Sequence, residues 1–338
     1  MIRTALITGV TGQDGSYLSE LLIRLEYNVI GLIRRSSTNT TERLVNVLKS
    51  PKFQLVEYDL NDALCINSIV NKYAESCDIL EIYNLAAQSH VQTSFDQPWY
   101  TFQTNALAVY GWLESIKQSE FKDRIRFYQA GTSEMFGKAQ EIPQTEKTPF
   151  YPRSPYGVSK LAAYWACKNY RESYGLYICN GLLFNHESER RGDFFVTRKI
   201  VKGITDDRKW PLHLGNLNAK RDWGHAEDYV YGMWLMLQKD TPNDYVLATG
   251  QTHSIREFID EALRCLGIDY VWRDDSVWTG NQCILVGNYA EFMRPSEVDI
   301  LVGDSTKACV ELGWIPKISF RELVRRMVNE ECRLSGST

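Results

Sequence analysis

Tyr156 and Lys160 lie four residues apart in the segment Tyr156-Gly157-Val158-Ser159-Lys160. If this segment is helical, the spacing places both side chains on one face. A neighbouring ammonium favours the phenolate, so Lys160 is expected to lower the Tyr156 pKa from its ordinary value of about 10. Such a tyrosine can take the proton of a substrate hydroxyl while hydride leaves the same carbon. The pair indicates alcohol oxidation, although the same spacing is also common in ordinary surface pairs.

Thr132 and Glu134 precede this pair, directly after the apolar run 125–128. Thr132 can hydrogen-bond to a hydroxyl or keto oxygen. Glu134 has no role in simple alcohol oxidation, but a carboxylate can remove a proton beside a new ketone and return it to a leaving hydroxyl. In isolation Glu134 would be interpreted as a solvated loop acid. Together with the tyrosine and lysine, the predicted catalytic set is Thr132, Glu134, Tyr156 and Lys160.

Three glycines at three-residue spacing follow the first apolar run. Gly9 permits a sharp turn, Gly12 lets a pyrophosphate approach the backbone, and Gly15 lets a helix pack close to the strand. The free N–H groups at the helix N-terminus then face the phosphates. The alternative is an ordinary tight turn, but its place between a strand and a helix favours dinucleotide binding. The predicted contacts are Gly9, Thr11, Gly12, Gln13, Asp14 and Gly15.

The end of the second apolar run predicts which cofactor is bound. NAD sites usually carry an acidic residue there, whereas this chain has Arg34, Arg35, Ser36 and Ser37. Guanidinium groups bind phosphate dianions in a bidentate fork, so these residues favour NADP(H) over NAD(H). The alternative is a solvated basic loop. Further cofactor contacts are predicted where the third and fourth runs end: Asp59, Leu60, Leu85, Ala86, Ala87, Gln88 and Ser89.

The elements that must position these residues alternate along the first half of the chain. Short apolar runs predict strands at 5–8, 29–33, 53–56, 79–85, 125–128 and 177–184. Helical stretches are predicted at 16–25, 41–48, 64–73, 101–117, 154–174 and 226–238. This alternation predicts an α/β fold, a Rossmann-type doubly wound parallel sheet with helices on both faces.

After about residue 185 the pattern degrades into short strands and helices mixed with loops, as at 210–215, 249–253 and 274–287. We expect a smaller, discontinuous C-terminal α/β domain for the substrate. The predicted boundaries are 1–184 plus about 222–250 for the NADP-binding domain, and about 185–221 plus 251–338 for the nucleotide-sugar domain.

Composition excludes several classes of protein. The chain has 338 residues, 44% of them hydrophobic, and a net charge of -4, which argues against a large basic surface for nucleic acid. No run approaches the roughly 20 apolar residues that cross a bilayer. The 8 cysteines form no Cys-x-x-Cys pair and do not cluster with histidine. We therefore expect no metal, no membrane contact and a reducing, cytoplasmic location.

The sequence resembles the GDP-mannose 4,6-dehydratase family of the extended short-chain dehydrogenase/reductase superfamily. The glycine turn and the Tyr-Lys pair mark only the superfamily, whereas residues 185–188 and 220–225 are more specific. The matching segments are 5–18, 34–37, 82–91, 148–157, 183–188, 195–199, 218–226 and 294–299.

The resemblance implies conversion of GDP-mannose to GDP-4-dehydro-6-deoxymannose and water, by oxidation at C4, elimination across C5 and C6, and return of hydride to C6. It also implies a homodimer or homotetramer, with the loop between Arg35 and Arg43 reaching a neighbour. Further cofactor contacts implied are Tyr100, Lys160, His186 and Arg191. Implied substrate contacts are Ser89, Asn185, Lys199, Arg221, Arg294 and Glu297, with both arginines on the GDP pyrophosphate.

Two departures from the family pattern stand near the site. Gly131 replaces a usual serine and is expected to loosen the catalytic loop, and Glu189 replaces a usual proline and is expected to put a negative charge near the cofactor. A second activity is also considered, in which NADPH reduces the 4-keto product to a GDP-6-deoxyhexose such as GDP-D-rhamnose. The alternatives are another NADP-dependent nucleotide-sugar epimerase or decarboxylase, or a non-catalytic NADP-binding module.

Overall fold

The computed structural model describes residues 1–292, 296, 298 and 300–336. The strands are β1 (Arg3–Thr8), β2 (Asn28–Ile33), β3 (Phe53–Glu57), β4 (Ile79–Asn84), β5 (Ile125–Ala130), β6 (Tyr177–Leu183), β7 (Asn185–Glu187), β8 (Leu212–His213), β9 (Lys220–Arg221), β10 (Trp223–His225), β11 (Tyr245–Leu247), β12 (His253–Ser254), β13 (Val271–Arg273), β14 (Ser276–Thr279), β15 (Gln282–Val286) and β16 (Ile300–Leu301). The helices are α1 (Gln13–Arg24), α2 (Ala63–Glu75), α3 (Val91–Asp96), α4 (Pro98–Phe102), α5 (Ala108–Gln118), α6 (Pro155–Tyr174), α7 (Val196–Ile204), α8 (Ala226–Met236), α9 (Ile255–Cys265), α10 (Thr306–Leu312) and α11 (Phe320–Ser335).

A seven-stranded sheet forms the centre of the first part, in the order β11-β6-β5-β4-β1-β2-β3. Each neighbouring pair in this sheet is parallel. The strand order reverses between β1 and β4, and parallel sheets of this kind bind ligands in the crevice at that point. The predicted doubly wound Rossmann-type fold is confirmed.

Both faces of the sheet are buried. Ala5 and Ile7 of β1 pack on the side of α1 and α8, whereas Leu6 packs on the side of α2, α5 and α6. Successive side chains of a strand point to opposite faces, so a strand covered on both sides is rich in apolar residues. Polar side chains that are buried among them, such as Glu81 of β4 and Gln129 of β5, are hydrogen-bonded.

The three sequence signals that predict the ends of α6 all have that role in the structure. The Ser154 side chain accepts a hydrogen bond from the Gly157 N–H at 3.0 Å, Pro155 occupies the first helical position, and Gly175 ends the helix at φ +65°. The helix therefore begins at a fixed residue, which fixes where Tyr156 and Lys160 lie in its first turns.

The second part is built from short sheets and the helices α7, α9 and α11. Its sheets have the orders β12-β9-β16 and β13-β14-β15-β8. Their core includes Ile200, Leu212, Phe258, Leu285 and Met327. The parallel pair β7 and β10 lies where the chain passes between the two parts.

Two predicted helices differ from the structure. Residues 41–48 form a single 3₁₀ turn, Glu42–Leu44, followed by further turns. The Asn39 side chain accepts the Thr41 N–H at 2.9 Å, and such local bonds compete with a helix. The predicted helix 101–117 is divided by a π-helical stretch, Gln103–Leu107, between α4 and α5. Within the described part of the chain, no helix is long and apolar enough to span a membrane.

Candidate active site

A cleft of ≈ 1220 Å³ opens between the carboxyl edge of the central sheet and the second part. It includes residues that follow six parallel strands, from Gly9 after β1 to Phe184 after β6. Among the predicted residues that the structure describes, those lining it are Gly9, Thr11, Gly12, Gln13, Asp14, Gly15, Arg34, Asp59, Leu60, Leu85, Ala86, Ala87, Ser89, Tyr100, Thr132, Glu134, Tyr156, Lys160, Asn185, His186, Arg191, Lys199 and Arg221.

The glycine turn at the floor of the cleft is sterically tight. A Cβ on Gly9, which has φ +64°, would lie 3.0 Å from Ala86 N, and one on Gly15 would lie 2.6 Å from Val10 Cα. Gly12 precedes α1, and no side chain of the described residues caps that helix. The turn thus presents uncapped helix N–H groups and no Cβ at its start, which fits a dinucleotide pyrophosphate.

A buried ion pair flanks this turn. His186 Nε2 lies 2.8 Å from Asp14 Oδ2, and His186 Nδ1 lies 2.8 Å from the Phe184 carbonyl. Burial alone lowers the pKa of His186, but Asp14 more than offsets it and the net pKa is raised. Since both acceptors need an N–H, His186 is an imidazolium, and its charge lies beside the predicted pyrophosphate site.

Tyr156 lies buried in the same cleft with the other predicted catalytic groups. Thr132 hydrogen-bonds to the Tyr156 side chain, and the Glu134 charge acts on it. Thr132 is itself fixed, because its Oγ1 accepts the Glu134 N–H at 3.2 Å. The three side chains therefore form one group at the end of β5.

The expectation that Tyr156 has a lowered pKa is wrong for this structure. Burial raises the pKa of Tyr156 to about 12, despite the hydrogen bond from Thr132. The Lys160 ammonium instead donates to the Ala130 carbonyl at 2.9 Å, and burial lowers its own pKa to about 8. Desolvation disfavours the charged form of both side chains, so the phenol remains protonated.

The adenosine end of the cleft contains one of the two predicted arginines. Arg34 lines the cleft, whereas Arg35, Ser36 and Ser37 are exposed on the loop beyond it. Gln88 also lies outside the lining: its amide donates to Thr101 Oγ1 at 3.0 Å and braces the loop after β4.

The lining residues that sequence reasoning missed include two arginines, Arg43 and Arg190. Arg43 Nε donates to the Arg190 carbonyl at 2.8 Å, and Arg43 Nη1 donates to the Thr11 carbonyl at 3.3 Å. These partners are far apart in sequence, so no spacing signal pointed to them. Arg43, at the end of the loop that the resemblance implied would reach a neighbour, therefore contacts the glycine turn of the same chain.

The other end of the cleft carries the predicted substrate contacts. Lys199 Nζ donates to the His213 carbonyl at 2.8 Å, and Arg221 Nη1 donates to the Val298 carbonyl at 2.7 Å. Asn185 Oδ1 is buried and has no hydrogen-bond partner among the described residues. Arg294 and Glu297 lie outside the described residues. This end offers two cations and a free amide oxygen, a combination suited to a phosphorylated, hydroxylated ligand.

The fold and the site together define the extended short-chain dehydrogenase/reductase class. A solved dTDP-glucose 4,6-dehydratase from Streptomyces venezuelae, with NAD and TYD bound, shares the fold at a TM-score of 0.84 and 23% identity over 98% of both chains. A family model described as GDP-mannose 4,6 dehydratase matches residues 6–327. The chain is 47% identical to the GDP-mannose 4,6 dehydratase of Homo sapiens, over 98% of this chain and 92% of that protein. It is 48% identical to that of Dictyostelium discoideum, over 97% and 96%. The chain belongs to the GDP-mannose 4,6-dehydratase family.

Proposed function

We propose that the chain converts GDP-mannose to GDP-4-dehydro-6-deoxymannose and water with NADP(H) as a retained cofactor. The observation that carries the proposal is the joining of Thr132, Glu134 and Tyr156 in one cleft with the glycine turn. An alcohol oxidation needs the tyrosine, and the elimination that follows it needs a carboxylate base.

The first step is oxidation at the sugar C4. In its phenolate form, Tyr156 takes the O4 proton as hydride leaves C4, and Thr132 binds the oxygen that becomes the ketone. When bound, oxidised NADP supplies the hydride acceptor and a positively charged ring that favours the Tyr156 phenolate. Tyr156 is buried apart from the part that lines the cleft, so its phenol is positioned to exchange a proton with a sugar bound there.

The second step is elimination of water. The new ketone acidifies the C5 proton, which Glu134 removes and delivers to the departing C6 hydroxyl. Hydride then returns to C6, and C5 requires a proton, which Tyr156 holds from the first step. The net change is loss of one water, and the cofactor ends as it began.

Choice of NADP rests on Arg34, which lies at the cleft where an acid would select NAD. Lys199 and Arg221 are proposed to hold the GDP phosphates, with Asn185 and Ser89 toward the sugar.

We also propose that the chain forms two domains. The cofactor domain is residues 1–184 with about 222–250, and the nucleotide-sugar domain is about 185–221 with 251–338.

We also propose that the protein is a cytoplasmic homodimer or homotetramer. Helix α6 packs against both α4 and α5, and exposed apolar side chains on such neighbouring helices favour a protein interface. Large apolar side chains exposed on or beside them are Trp99, Leu107, Tyr110, Val158 and Trp165. Analytical ultracentrifugation is the test of assembly.

The proposed cytoplasmic location is supported by the cysteines. All eight are unpaired in the described residues, as suits a reducing compartment.

The experiment that tests the reaction is incubation with GDP-mannose and NADP+ followed by mass spectrometry. Loss of one water supports the proposal, whereas conversion of GDP-mannose to an isomer of unchanged mass indicates an epimerase. A parallel incubation with an acidic nucleotide sugar would show loss of carbon dioxide if the chain were a decarboxylase. A chain that consumes no nucleotide sugar is a binding module. Glu134→Gln should accumulate reduced cofactor without losing water, and Tyr156→Phe should accumulate none, while the exposed Glu120→Gln behaves as wild type.

A second activity, reduction of the 4-keto product, is favoured by the protonated state of Tyr156. Because its pKa is about 12, the phenol carries the proton that ketone reduction requires. Hydride from NADPH would reach C4 and the Tyr156 proton would reach O4, giving a GDP-6-deoxyhexose such as GDP-D-rhamnose. Purified product is supplied with excess NADPH and the absorbance of the reduced nicotinamide is followed. Recovery of unchanged keto sugar with no loss of NADPH contradicts this activity.

A further inference from the structure

Residues 186–190, here called the clasp, include the last two residues of β7 and the three that follow, and they lie against α1. Glu189 Oε2 accepts a hydrogen bond from the Tyr17 phenol at 2.8 Å, and His225 Nε2 lies 3.2 Å from the same oxygen. His225 Nδ1 already accepts the Glu227 N–H at 3.1 Å. The proton of a neutral His225 is therefore on Nε2, which donates to Glu189. The clasp is thus joined to α1 and to the last residue of β10, which caps α8.

Arg190 makes a second attachment to α1. Its Nη2 donates to Glu20 Oε1 at 2.7 Å, its Nη1 donates to Ser16 Oγ at 3.1 Å, and its guanidinium lies 4.0 Å from the centre of the Tyr17 ring. Ser188 Oγ donates to Gln13 Oε1 at 2.7 Å. Three successive residues of the clasp therefore bind the first two turns of one helix.

The expectation that Glu189 puts a negative charge near the cofactor stays a prediction, and the structure shows where that carboxylate lies. Glu189 does not line the cleft, because its carboxylate lies against Tyr17 and His225. Burial opposes its ionisation, but hydrogen bonds from His225 and Tyr17 lower the pKa of Glu189 to about 2, so it is charged at neutral pH. Its neighbours His186, Arg190 and Arg191 do line the cleft, beside the glycine turn.

We infer that Glu189 and Arg190 are positioning residues that hold the clasp over the bound dinucleotide and slow its release. This inference rests on the proposed function, in which the hydride taken from C4 must wait through the elimination before it returns to C6. Reduced cofactor that escapes in that interval leaves the dehydrated sugar without its hydride. The bonds of Glu189 and Arg190 to α1 go to Ser16, Tyr17 and Glu20, none of which lines the cleft, so these bonds can oppose the escape without touching the reacting atoms.

The test measures release of NADPH directly. The holoenzyme is mixed with excess NADP+ in a stopped-flow instrument, and the fall of bound NADPH fluorescence gives the dissociation rate. Glu189→Ala and Arg190→Ala are expected to raise this rate about tenfold, as loss of a buried charged hydrogen bond implies. Glu189→Gln retains an acceptor for Tyr17 and should restore most of the slow release. Affinity for GDP is expected to stay unchanged in each variant.

Two further variants keep the test decisive. Tyr17→Phe deletes one hydroxyl and keeps the ring under Arg190, so it folds even where an alanine variant does not, and it should speed release several-fold. Arg208→Ala removes an exposed ion pair with Asp206 elsewhere in the second part and should change nothing. Release at the wild-type rate in folded Tyr17→Phe and Glu189→Ala overturns the inference. A wild-type chain that binds no nicotinamide dinucleotide overturns the proposed function, and the inference with it.

Discussion

Burial acts on the two members of the Tyr156–Lys160 pair in opposite directions. It raises the pKa of the phenol to about 12 and lowers that of the amine to about 8, so each side chain moves toward its neutral form. The sequence spacing placed both residues on one helix, and the structure confirms this. Their protonation depends on burial by residues that are distant in sequence, and the four-residue spacing does not predict that burial.

Replacement of Lys160 by Met tests the cost of burying this amine. An unfolded lysine has a pKa of 10.5, so between pH 8 and 10.5 the unfolded chain binds more protons and wild-type stability rises with pH. At pH 7 the cofactor-free Lys160→Met variant is expected to be more stable by up to about 3 kcal/mol. Urea unfolding at pH 7, 8 and 9 should show this difference shrinking, and a constant difference contradicts it.

Arg34 and Arg35 form a matched pair for cofactor choice. Arg34 lines the cleft, whereas Arg35 points into the exposed loop. Because a guanidinium on a 2'-phosphate adds roughly 1.5–3 kcal/mol, Arg34→Ala should weaken NADP binding about tenfold or more and leave NAD binding nearly unchanged. Arg35→Ala should affect neither. Isothermal titration with NADP and with NAD measures the two affinities of each variant. Equal losses of affinity for NADP and NAD in Arg34→Ala would contradict a 2'-phosphate site.

Among the elements, those with strong local signals were predictable and those held by distant contacts were not. The apolar strands and α6, with Ser154 and Gly175 at its ends, follow from sequence alone. Residues 41–48 do not form the expected helix, because Leu44 and Val47 are buried against the first core while Arg43 turns toward Thr11 and Arg190. Such pairings depend on the tertiary fold.

The loop after β5 is tightly packed rather than loosened by Gly131. Its N–H donates to the Gly181 carbonyl at 2.8 Å, and a Cβ at this position would lie 2.6 Å from that oxygen. The smaller residue therefore lets the catalytic loop approach β6 closely. The expected loosening is not what the described structure shows.

Gly131→Ala should consequently destabilise the protein. The added methyl group forces the loop away from β6, at a cost of about 2 kcal/mol, and displaces Thr132 and Glu134. Gly192→Ala is the control, since its Cβ would meet only Phe195 ring atoms at 3.5 Å. Thermal unfolding should show a lower midpoint for Gly131→Ala alone. Equal midpoints for the two variants would show that the loop relaxes without cost.

At the scale of the whole molecule, the cleft belongs to both parts of the chain. The glycine turn comes from the sheet edge and Tyr156 from the start of α6, whereas Lys199 and Arg221 come from the second part. The family resemblance named both groups, but only the fold brings them around one cavity. The parallel pairing of β7 with β10 places His186 opposite Gly224 and so connects the cofactor end to the substrate end.

Because Thr132, Glu134 and Tyr156 lie together in one cleft with the glycine turn, the proposed function has both hydride transfers occur at the same cofactor. Deuterium placed at C4 of GDP-mannose is therefore expected at C6 of the product, within the same sugar molecule. When doubly labelled substrate, deuterated at C4 and carrying carbon-13 in the hexose, is mixed with unlabelled substrate, mass spectrometry should find deuterium only in carbon-13 product. Deuterium in unlabelled product would mean that the reduced cofactor leaves between steps. The Glu189→Ala variant provides the sensitive comparison, because faster release of NADPH should produce measurable crossover there while wild type shows none.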